Sequence, residues 1–204
     1  MVFRSGLDLG PPLRTVAREG WAFVPRSLEE SFRRRLWDEV RAGPFQHMVE
    51  EFGGGLVRQQ LEAFDVAEPF DGFPVVAELS RDLTALVRDH GRGIRGLASW
   101  VPNEVGAARY RAGSLGITPH LDGKWYRRLV AVVTVHGSGR FSICRDRVGP
   151  VVAQWDAGPG SLTLMRGPGL GGARDGRPFH MVAGPRRGER CSLGIRMSVR
   201  YFAH

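Results

Sequence analysis

The second half of the sequence is divided into short runs of strand character, and this pattern limits the folds that the chain can adopt. From about residue 97 onward, glycine, proline and aspartate separate stretches of apolar and alternating residues. Eight stretches are predicted to be strands: residues 105–112, 115–119, 128–135, 140–145, 151–155, 161–166, 180–183 and 190–202. Short strands that follow a helical segment are typical of a barrel or sandwich with helices packed outside it, an α+β fold.

Two helices are predicted in the first half. Ser27 and Glu30 fit a capping box at the start of the first helix, which Gly43-Pro44 ends. Its apolar stripe consists of Leu28, Phe32, Leu36 and Val40. The second helix is predicted to begin near Pro74 and to end at Gly91. The side chains that it turns inward are Val76, Leu79, Leu83 and Leu86.

The segments around these helices carry weaker signals. Residues 1–20 are predicted to be an irregular arm, and residues 21–24 a short strand closed by Pro25. Residues 45–70 are interrupted by three consecutive glycines, so we interpret them as an irregular loop and a candidate lid over a site.

Length and composition favour one domain in a reducing compartment. With 204 residues of which 42% are hydrophobic, the chain can bury one core, so we expect a single domain over residues 1–204. Residues 21–96 would be its helical support with the possible lid, and residues 97–204 its strand-rich core. The sequence has no apolar run of membrane-spanning length and no recognisable export signal. We therefore expect Cys144 and Cys191 to be reduced thiols in the cytoplasm.

The net charge of +8 is compatible with a nucleic-acid partner, but its composition weakens that interpretation. Of the 29 basic residues, Lys124 alone is a lysine, and the chain also contains 28 glycines and 13 prolines. This bias is typical of a GC-rich genome. The charge would attract polyanions, yet it gives little evidence that the protein was selected to bind them.

Two familiar classes of enzyme are excluded by missing parts. The sequence has no Gly-x-Ser-x-Gly elbow and no plausible carboxylate pair for hydrolysis. The glycine-rich residues 167–172 lack the Gly-Lys-Ser/Thr ending of a phosphate-binding loop. We interpret them as a flexible loop before His180.

Two histidines and one aspartate form the strongest functional signal. His120 and Asp122 are separated by one residue at a strand-to-turn junction between Pro119 and Gly123, and His180 begins a later strand. Two imidazoles and one carboxylate on one face of an ion are the ligand set of non-haem Fe(II) sites, which keep other positions open for a co-substrate and O2. The spacing favours an iron-dependent oxygenase.

The last predicted strand alternates between a polar and an apolar face. Arg190, Ser192, Gly194, Arg196 and Ser198 share one face, whereas Cys191, Leu193, Ile195, Met197 and Val199 share the other. We expect the apolar face to pack on the core and the other face to look into a polar cavity. The planar guanidinium of arginine suits bidentate capture of a carboxylate, and Tyr110 on an earlier strand is expected to hydrogen-bond the same ligand.

Residues 103–200, about half of the chain, resemble the Fe(II)/2-oxoglutarate dioxygenases, and within them the AlkB-like proteins. The matching stretches are residues 109–113, His120-x-Asp122, residues 160–165, His180 and Arg190-x-Ser192-x-x-x-Arg196. The resemblance implies a double-stranded β-helix, or jelly-roll, with Fe(II) bound by His120, Asp122 and His180. It also implies 2-oxoglutarate and O2 as co-substrates. Arg190, helped by Ser192 or Tyr110, would hold the distal carboxylate of 2-oxoglutarate, and Arg196 would lie near its iron-binding end.

Three departures from the AlkB-like pattern concern the substrate. Ala108 stands where AlkB-like repair enzymes usually have asparagine, and Lys124 stands where the bacterial repair enzyme has an acid near the base. The gap from His180 to Arg190 is also shorter than in that enzyme. The co-substrate machinery of the family therefore carries over better than its base-reading machinery.

Three functions are compared on this basis. We favour hydroxylation of a C–H bond in a small molecule, amino acid or peptide. AlkB-like oxidative demethylation of alkylated nucleic acid is the alternative, supported by the AlkB-like motifs, the charge and the Trp125-Tyr126 pair, which would stack on a planar substrate. Lys124, the third candidate substrate contact, and Ala108 favour the first function instead. A non-catalytic basic barrel that binds nucleic acid is less favoured, because the set of metal ligands is complete.

Overall fold

The structure is a computed structural model, and it describes residues 1–201. This part of the chain forms three α-helices: α1 (Gly10–Glu19), α2 (Glu30–Val40) and α3 (Pro74–His90). It also forms thirteen strands: β1 (Trp21–Val24), β2 (Gln46–His47), β3 (Glu51–Phe52), β4 (Val57–Gln60), β5 (Glu62–Ala67), β6 (Glu104–Arg111), β7 (Gly116–His120), β8 (Tyr126–His136), β9 (Gly139–Cys144), β10 (Val151–Ala157), β11 (Leu162–Arg166), β12 (Phe179–Val182) and β13 (Glu189–Ser198). None of the helices within residues 1–201 is both long and apolar enough to cross a membrane.

The strands form two antiparallel sheets. One has seven strands in the order β1-β11-β8-β13-β6-β5-β2, and the other has six in the order β10-β9-β12-β7-β4-β3. Most neighbours in both sheets, such as β8 and β13 or β7 and β12, are distant in sequence, as in the crossed connections of a jelly-roll. The expected α+β fold with a jelly-roll core is confirmed.

Two apolar clusters hold the layers together. The larger one lies between the helices and the outer face of the seven-stranded sheet, and it includes Leu13, Val16, Phe32, Leu36, Leu79, Leu83, Leu129, Val133, Leu193 and Ile195. Complete burial of each such side chain contributes about 1.5–3 kcal/mol relative to exposure. The smaller cluster lies between the sheets and includes Tyr110, Phe141, Ile143, Met165 and Val182. Because the helices supply most of the apolar packing, the space between the sheets can remain partly open.

All eight strands predicted after residue 97 are present, from β6 to β13. The last is shorter than predicted: β13 ends at Ser198 and a 3₁₀ turn occupies Val199–Tyr201, while residue 202 lies outside the described part. The predicted helices correspond to α2 and α3, and the predicted strand at residues 21–24 to β1. Strand alternation was readable because one face of each strand is packed against a core.

The prediction of an irregular arm over residues 1–20 is wrong, because α1 occupies half of it. Pro11 and Pro12 stand in the first turn, where a missing N–H costs nothing. Gly20 ends the helix in the left-handed conformation, with φ of 99°. Leu13 and Val16 are fully buried, so tertiary packing stabilises a helix that was not predicted.

The predicted capping box is also wrong. Helix α2 begins at Glu30, and Glu29 precedes it without a side-chain cap. The Ser27 hydroxyl instead donates to the carbonyl oxygen of Gly160, at 2.8 Å. Glu30 pairs with Arg33 and Arg34 of its own helix rather than reaching back.

Residues 45–70 are not an irregular loop, since they contain β2 to β5. Strand β5 pairs with β6, and β4 pairs with β7, so this segment adds strands to both sheets. The two sheets therefore include strands that lie well before residue 97, where the strand-rich part was predicted to begin. The segment forms one wall of the cavity described below.

Candidate metal centre

His120, Asp122 and His180 converge between the two sheets. One ligand atom from each of the three side chains lies within 4.8 Å of the other two. His120 ends β7 and His180 lies on β12, where the two residues are direct partners across the strands. Asp122 follows in the turn after β7, and its Oδ1 lies 3.8 Å from Nε2 of His180. The predicted triad is thus brought together by strand register.

Backbone carbonyls orient both imidazoles in the same way. Nδ1 of His120 lies 2.9 Å from the carbonyl oxygen of Thr118, and Nδ1 of His180 lies 3.2 Å from that of Pro178. Because a carbonyl only accepts, each Nδ1 carries a proton, and Nε2 is the ring atom that remains to bind a metal. Such second partners are what metal-binding histidines have. The donor set therefore fits a divalent first-row metal, Fe(II) among them.

The surroundings keep His120 neutral. Burial, and then the neighbouring His180, lower the pKa of His120 to about 4. The ring of His180 stacks on Phe141, with centroids 5.5 Å apart. A neutral imidazole is the form that binds metal, so the buried surroundings keep His120 in its metal-binding form.

Arg177 anchors the turn that carries Asp122. Its Nη1 donates to the carbonyl oxygen of Asp122, while Nε and Nη2 donate to the two carboxylate oxygens of Asp175 at 2.9 and 2.8 Å. These hydrogen bonds hold the pKa of Asp175 well below its usual range. One guanidinium thus joins the turn after β7 to the segment that leads into His180.

Replacement of Arg177 by alanine is expected to weaken metal binding about tenfold, because supporting partners of metal ligands typically contribute 10–100-fold. Calorimetric titration with Fe(II) under argon measures the change. Arg177→Lys keeps one donor and should recover part of the affinity. Arg174→Ala is the matched control, since Arg174 is exposed in the same segment and has no ion pair within residues 1–201. Equal affinity in all three variants would show that Arg177 does not position Asp122.

A cavity of about 240 Å³ opens beside the triad. Its floor is the inner face of the seven-stranded sheet, where Ala108, Ser192 and Gly194 leave space, and its far wall carries His120 and His180. Residues 45–70 contribute the remaining wall through Met48, Gln59, Leu61, Ala63 and Asp65. The volume is slightly under the roughly 300–1,000 Å³ typical of small-molecule pockets, so it suits small ligands or single side chains.

Arg190 is buried without a carboxylate partner. It is 1% exposed, and its guanidinium reaches two hydroxyl oxygens, those of Ser192 at 3.2 Å and Thr134 at 3.3 Å. Its Nε has no hydrogen-bond partner among the described residues. Burial lowers the pKa of Arg190, although arginine stays charged in proteins. A buried cation without an anionic partner costs free energy, which indicates a binding position for an anionic ligand beside Arg190.

Ser192 and Tyr110 stand between Arg190 and the open space. Both line the cavity, and Tyr110 lies opposite Arg190 across strands β6 and β13. Burial raises the pKa of Tyr110, so its hydroxyl remains protonated and available as a donor. The structure therefore groups three predicted co-substrate residues beside the triad.

Arg196 has a different environment from Arg190. Its Nη2 donates to Oδ1 of Asp65 at 2.7 Å and its Nη1 donates to the hydroxyl of Tyr126 at 2.8 Å. Its Nε lies 3.4 Å from Oε1 of Glu104. Arg196 lines the cavity, but two carboxylates already compensate its charge.

The three residues proposed as substrate contacts do not share the cavity of the triad. Lys124 and Trp125 line a separate cavity with Arg127 and the segment around Gly169. Tyr126 lines neither of these two cavities, and its hydroxyl donates to Oε1 of Glu104 at 2.7 Å. A tight turn, closed by the Tyr126 N–H and the Gly123 carbonyl, sends consecutive side chains to different sides.

Sequence reasoning missed Asp65, Thr134 and Arg177. Asp65 alternates with Phe64 and Val66, which pack against the core, and this alternation was the available signal for a strand. Thr134 lies opposite Ser192 on β8, so strand pairing alone identifies it. No local pattern marks Arg177, whose role depends on the turn after β7.

No family model and no curated protein matches the sequence. Solved structures do match. A prolyl-4-hydroxylase from Pseudomonas putida is 19% identical with a TM-score of 0.64, over 93% of this chain and 98% of that one. A prolyl hydroxylase from Trichoplax adhaerens, solved with a peptide of hypoxia inducible factor, is 13% identical with a TM-score of 0.65, over 95% and 91%. A 2OG-Fe(II) oxygenase family oxidoreductase from Burkholderia pseudomallei is 13% identical with a TM-score of 0.63, over 97% and 93%. At these identities the likeness shows the fold, over nearly the whole of each chain.

Proposed function

We propose that the protein is an Fe(II)- and 2-oxoglutarate-dependent oxygenase that hydroxylates a C–H bond of a small molecule, amino acid or peptide. In this reaction O2 and 2-oxoglutarate are consumed, and the products are the hydroxylated substrate, succinate and CO2. The observation that carries the proposal is the pairing of the triad with the uncompensated Arg190 beside one small cavity. The neighbours in fold support it, because their names describe hydroxylases and 2OG-Fe(II) oxygenases.

Three groups of residues in the site would have separate roles. His120, Asp122 and His180 would hold Fe(II), which when bound supplies the activation of O2 and the redox chemistry. Arg190 would bind the distal carboxylate of 2-oxoglutarate, with hydrogen bonds from Ser192 and Tyr110. The apolar wall that includes Val130, Val132, Phe141, Met165 and Val182 excludes water from that ligand.

The AlkB-like assignment and its nucleic-acid substrate receive less support. A base turned out of a helix is usually held by stacking on aromatic or apolar side chains in a shaped pocket. Among the described residues that line the cavity, the aromatic rings other than the two histidines are Tyr110 and Phe141, and Phe141 already stacks on His180. Lys124 and Trp125 line the separate cavity. We therefore keep demethylation of nucleic acid as the second candidate.

Our proposal includes a reducing, cytoplasmic location. Cys144 and Cys191 are both buried free thiols. Burial raises the pKa of each thiol, which keeps both in the unreactive protonated form.

The decisive experiment is anaerobic. Fe(II) and then 2-oxoglutarate are added to the apo-protein, and the visible metal-to-ligand charge-transfer band of the chelate is recorded. We expect a band that saturates with 2-oxoglutarate, followed by succinate release when O2 is admitted. Absence of the band, together with calorimetry that shows neither ligand bound, would overturn the proposed function.

A further inference from the structure

The floor of the cavity has two ends with different chemistry. Across the seven-stranded sheet, Asp65, Gly106, Gly194 and Val132 form one row of paired residues, and Ala63, Ala108, Ser192 and Thr134 form the next row towards Arg190. Glu104 and Arg196 form the row on the opposite side. Arg190 and Arg196 are six residues apart on one extended strand, which separates their Cα atoms by about 20 Å. The small residues between them leave the open space.

At the end of the cavity formed by Asp65 and Arg196, the glycine at position 106 leaves room for the two side chains to meet. A side chain on Gly106 would place its Cβ 1.6 Å from Nη2 of Arg196 and 2.5 Å from Oδ1 of Asp65. The two charged groups therefore meet across β6 because residue 106 has no side chain. Asp65 remains 58% exposed, and the described residues give its Oδ2 no hydrogen bond.

The end of the cavity at Asp65 carries more negative than positive charge. There the guanidinium of Arg196 is opposed by two carboxylates, that of Asp65, which lines the cavity, and that of Glu104, which is buried beside it. The two positive charges of Fe(II) and the two negative charges of 2-oxoglutarate cancel. One negative charge is left, and it lies at the end of Asp65 and Glu104, because Arg190 would be paired with 2-oxoglutarate.

We infer that the primary substrate is an organic cation, an amine or a guanidine, whose positive charge contacts the carboxylate of Asp65. This inference rests on the proposed function and names the substrate class of the same site. Met48, Leu61 and Ala63 line the adjoining wall and would contact the carbon chain. A polyanion would meet an excess of carboxylate at this end. The cation is either a free small molecule or a basic side chain of a polypeptide, because both present the same charged group.

The test uses the whole protein loaded with Fe(II) and 2-oxoglutarate under argon. The probes are alkylamines and alkylguanidines of graded length, their neutral acetylated forms, and carboxylic acids of matching length. A second series contains blocked peptides with lysine or arginine and the same peptides with lysine acetylated. Binding is read as a change in the charge-transfer band, and succinate release is measured afterwards in air. Tighter binding of the peptides would identify a polypeptide substrate, and tighter binding of the free amines a small molecule; either result supports the inference.

We expect the cationic probes to bind at least about tenfold more tightly than the neutral ones, because loss of one partner of a close charge pair has an effect of this size or larger. Asp65→Asn keeps the shape of the side chain and should remove this preference, whereas Asp65→Glu should restore part of it. Asp38→Asn, at an exposed carboxylate on α2, is the matched control. If the band forms but no cation binds, neutral probes bind equally well, or Asp65→Asn keeps the preference, the inference is wrong and the proposed function stands. If the band never forms, the proposed function itself fails.

Discussion

Replacement of Arg190 by methionine is expected to weaken the binding of 2-oxoglutarate by at least about 30-fold and to leave the binding of Fe(II) alone nearly unchanged. Truncating one member of a buried, hydrogen-bonded charge pair costs about 2–5 kcal/mol, and each 1.4 kcal/mol is a factor of ten. Arg190 does not contact the triad directly, and its nearest polar partners are the hydroxyls of Ser192 and Thr134. Anaerobic titration of the charge-transfer band, with Fe(II) affinity measured separately, distinguishes the two effects.

The same substitution is expected to stabilise the protein in the absence of 2-oxoglutarate. Methionine fills a similar volume without an uncompensated charge, and removal of buried ionic groups in favour of packed apolar ones has stabilised proteins by about 1–4 kcal/mol. Wild type should gain stability when 2-oxoglutarate is added, by about 2.7 kcal/mol at 100 times Kd, and the variant should gain little. Thermal unfolding with and without the ligand measures both changes.

Arg14→Met is the matched control, because Arg14 is exposed on α1, remote from the cavity. Unchanged affinity for 2-oxoglutarate in Arg190→Met would mean that another residue holds the distal carboxylate. A variant that is less stable than wild type without ligand would show that the guanidinium is compensated by contacts other than those of Ser192 and Thr134.

The sequence predicted those parts of the fold in which local pattern and tertiary packing agree. In β13, Cys191, Leu193 and Ile195 enter the main core, while Ser192 and Gly194 line the cavity, as the alternation indicated. Helix α1 and strand β4 were not predicted, for two different reasons. The prolines of α1 resemble a loop until their place in the first turn is known, and β4 is a strand because it pairs with β7.

The candidate site, like the fold, was predictable from the sequence only where a local motif carries it. Short motifs were enough to propose the ligand triad and Arg190 as site residues, because each motif lies on one strand or at its end. The partners of Arg196 were not predicted, since Asp65 is 131 residues away in sequence and reaches it across the glycine at position 106. Charge balance is a property of the assembled cavity, so a sequence that gives a net charge of +8 did not reveal an excess of carboxylate at one end of the site.

Removal of any ligand of the triad is expected to reduce Fe(II) affinity by more than about 100-fold, beyond the 10–100-fold typical of losing a supporting partner. His180→Gln keeps most of the volume against Phe141, and Asp122→Asn keeps the shape of the side chain while removing its charge. Both variants should therefore fold, which circular dichroism checks, and neither should show the unfolding temperature rise with Fe(II) that we expect for wild type. His47→Gln controls for an exposed histidine, since the side chain of His47 is 89% exposed. Fe(II) binding that survives in both triad variants would place the ion elsewhere, because two imidazoles and one carboxylate with ligand atoms within 4.8 Å of one another define this site.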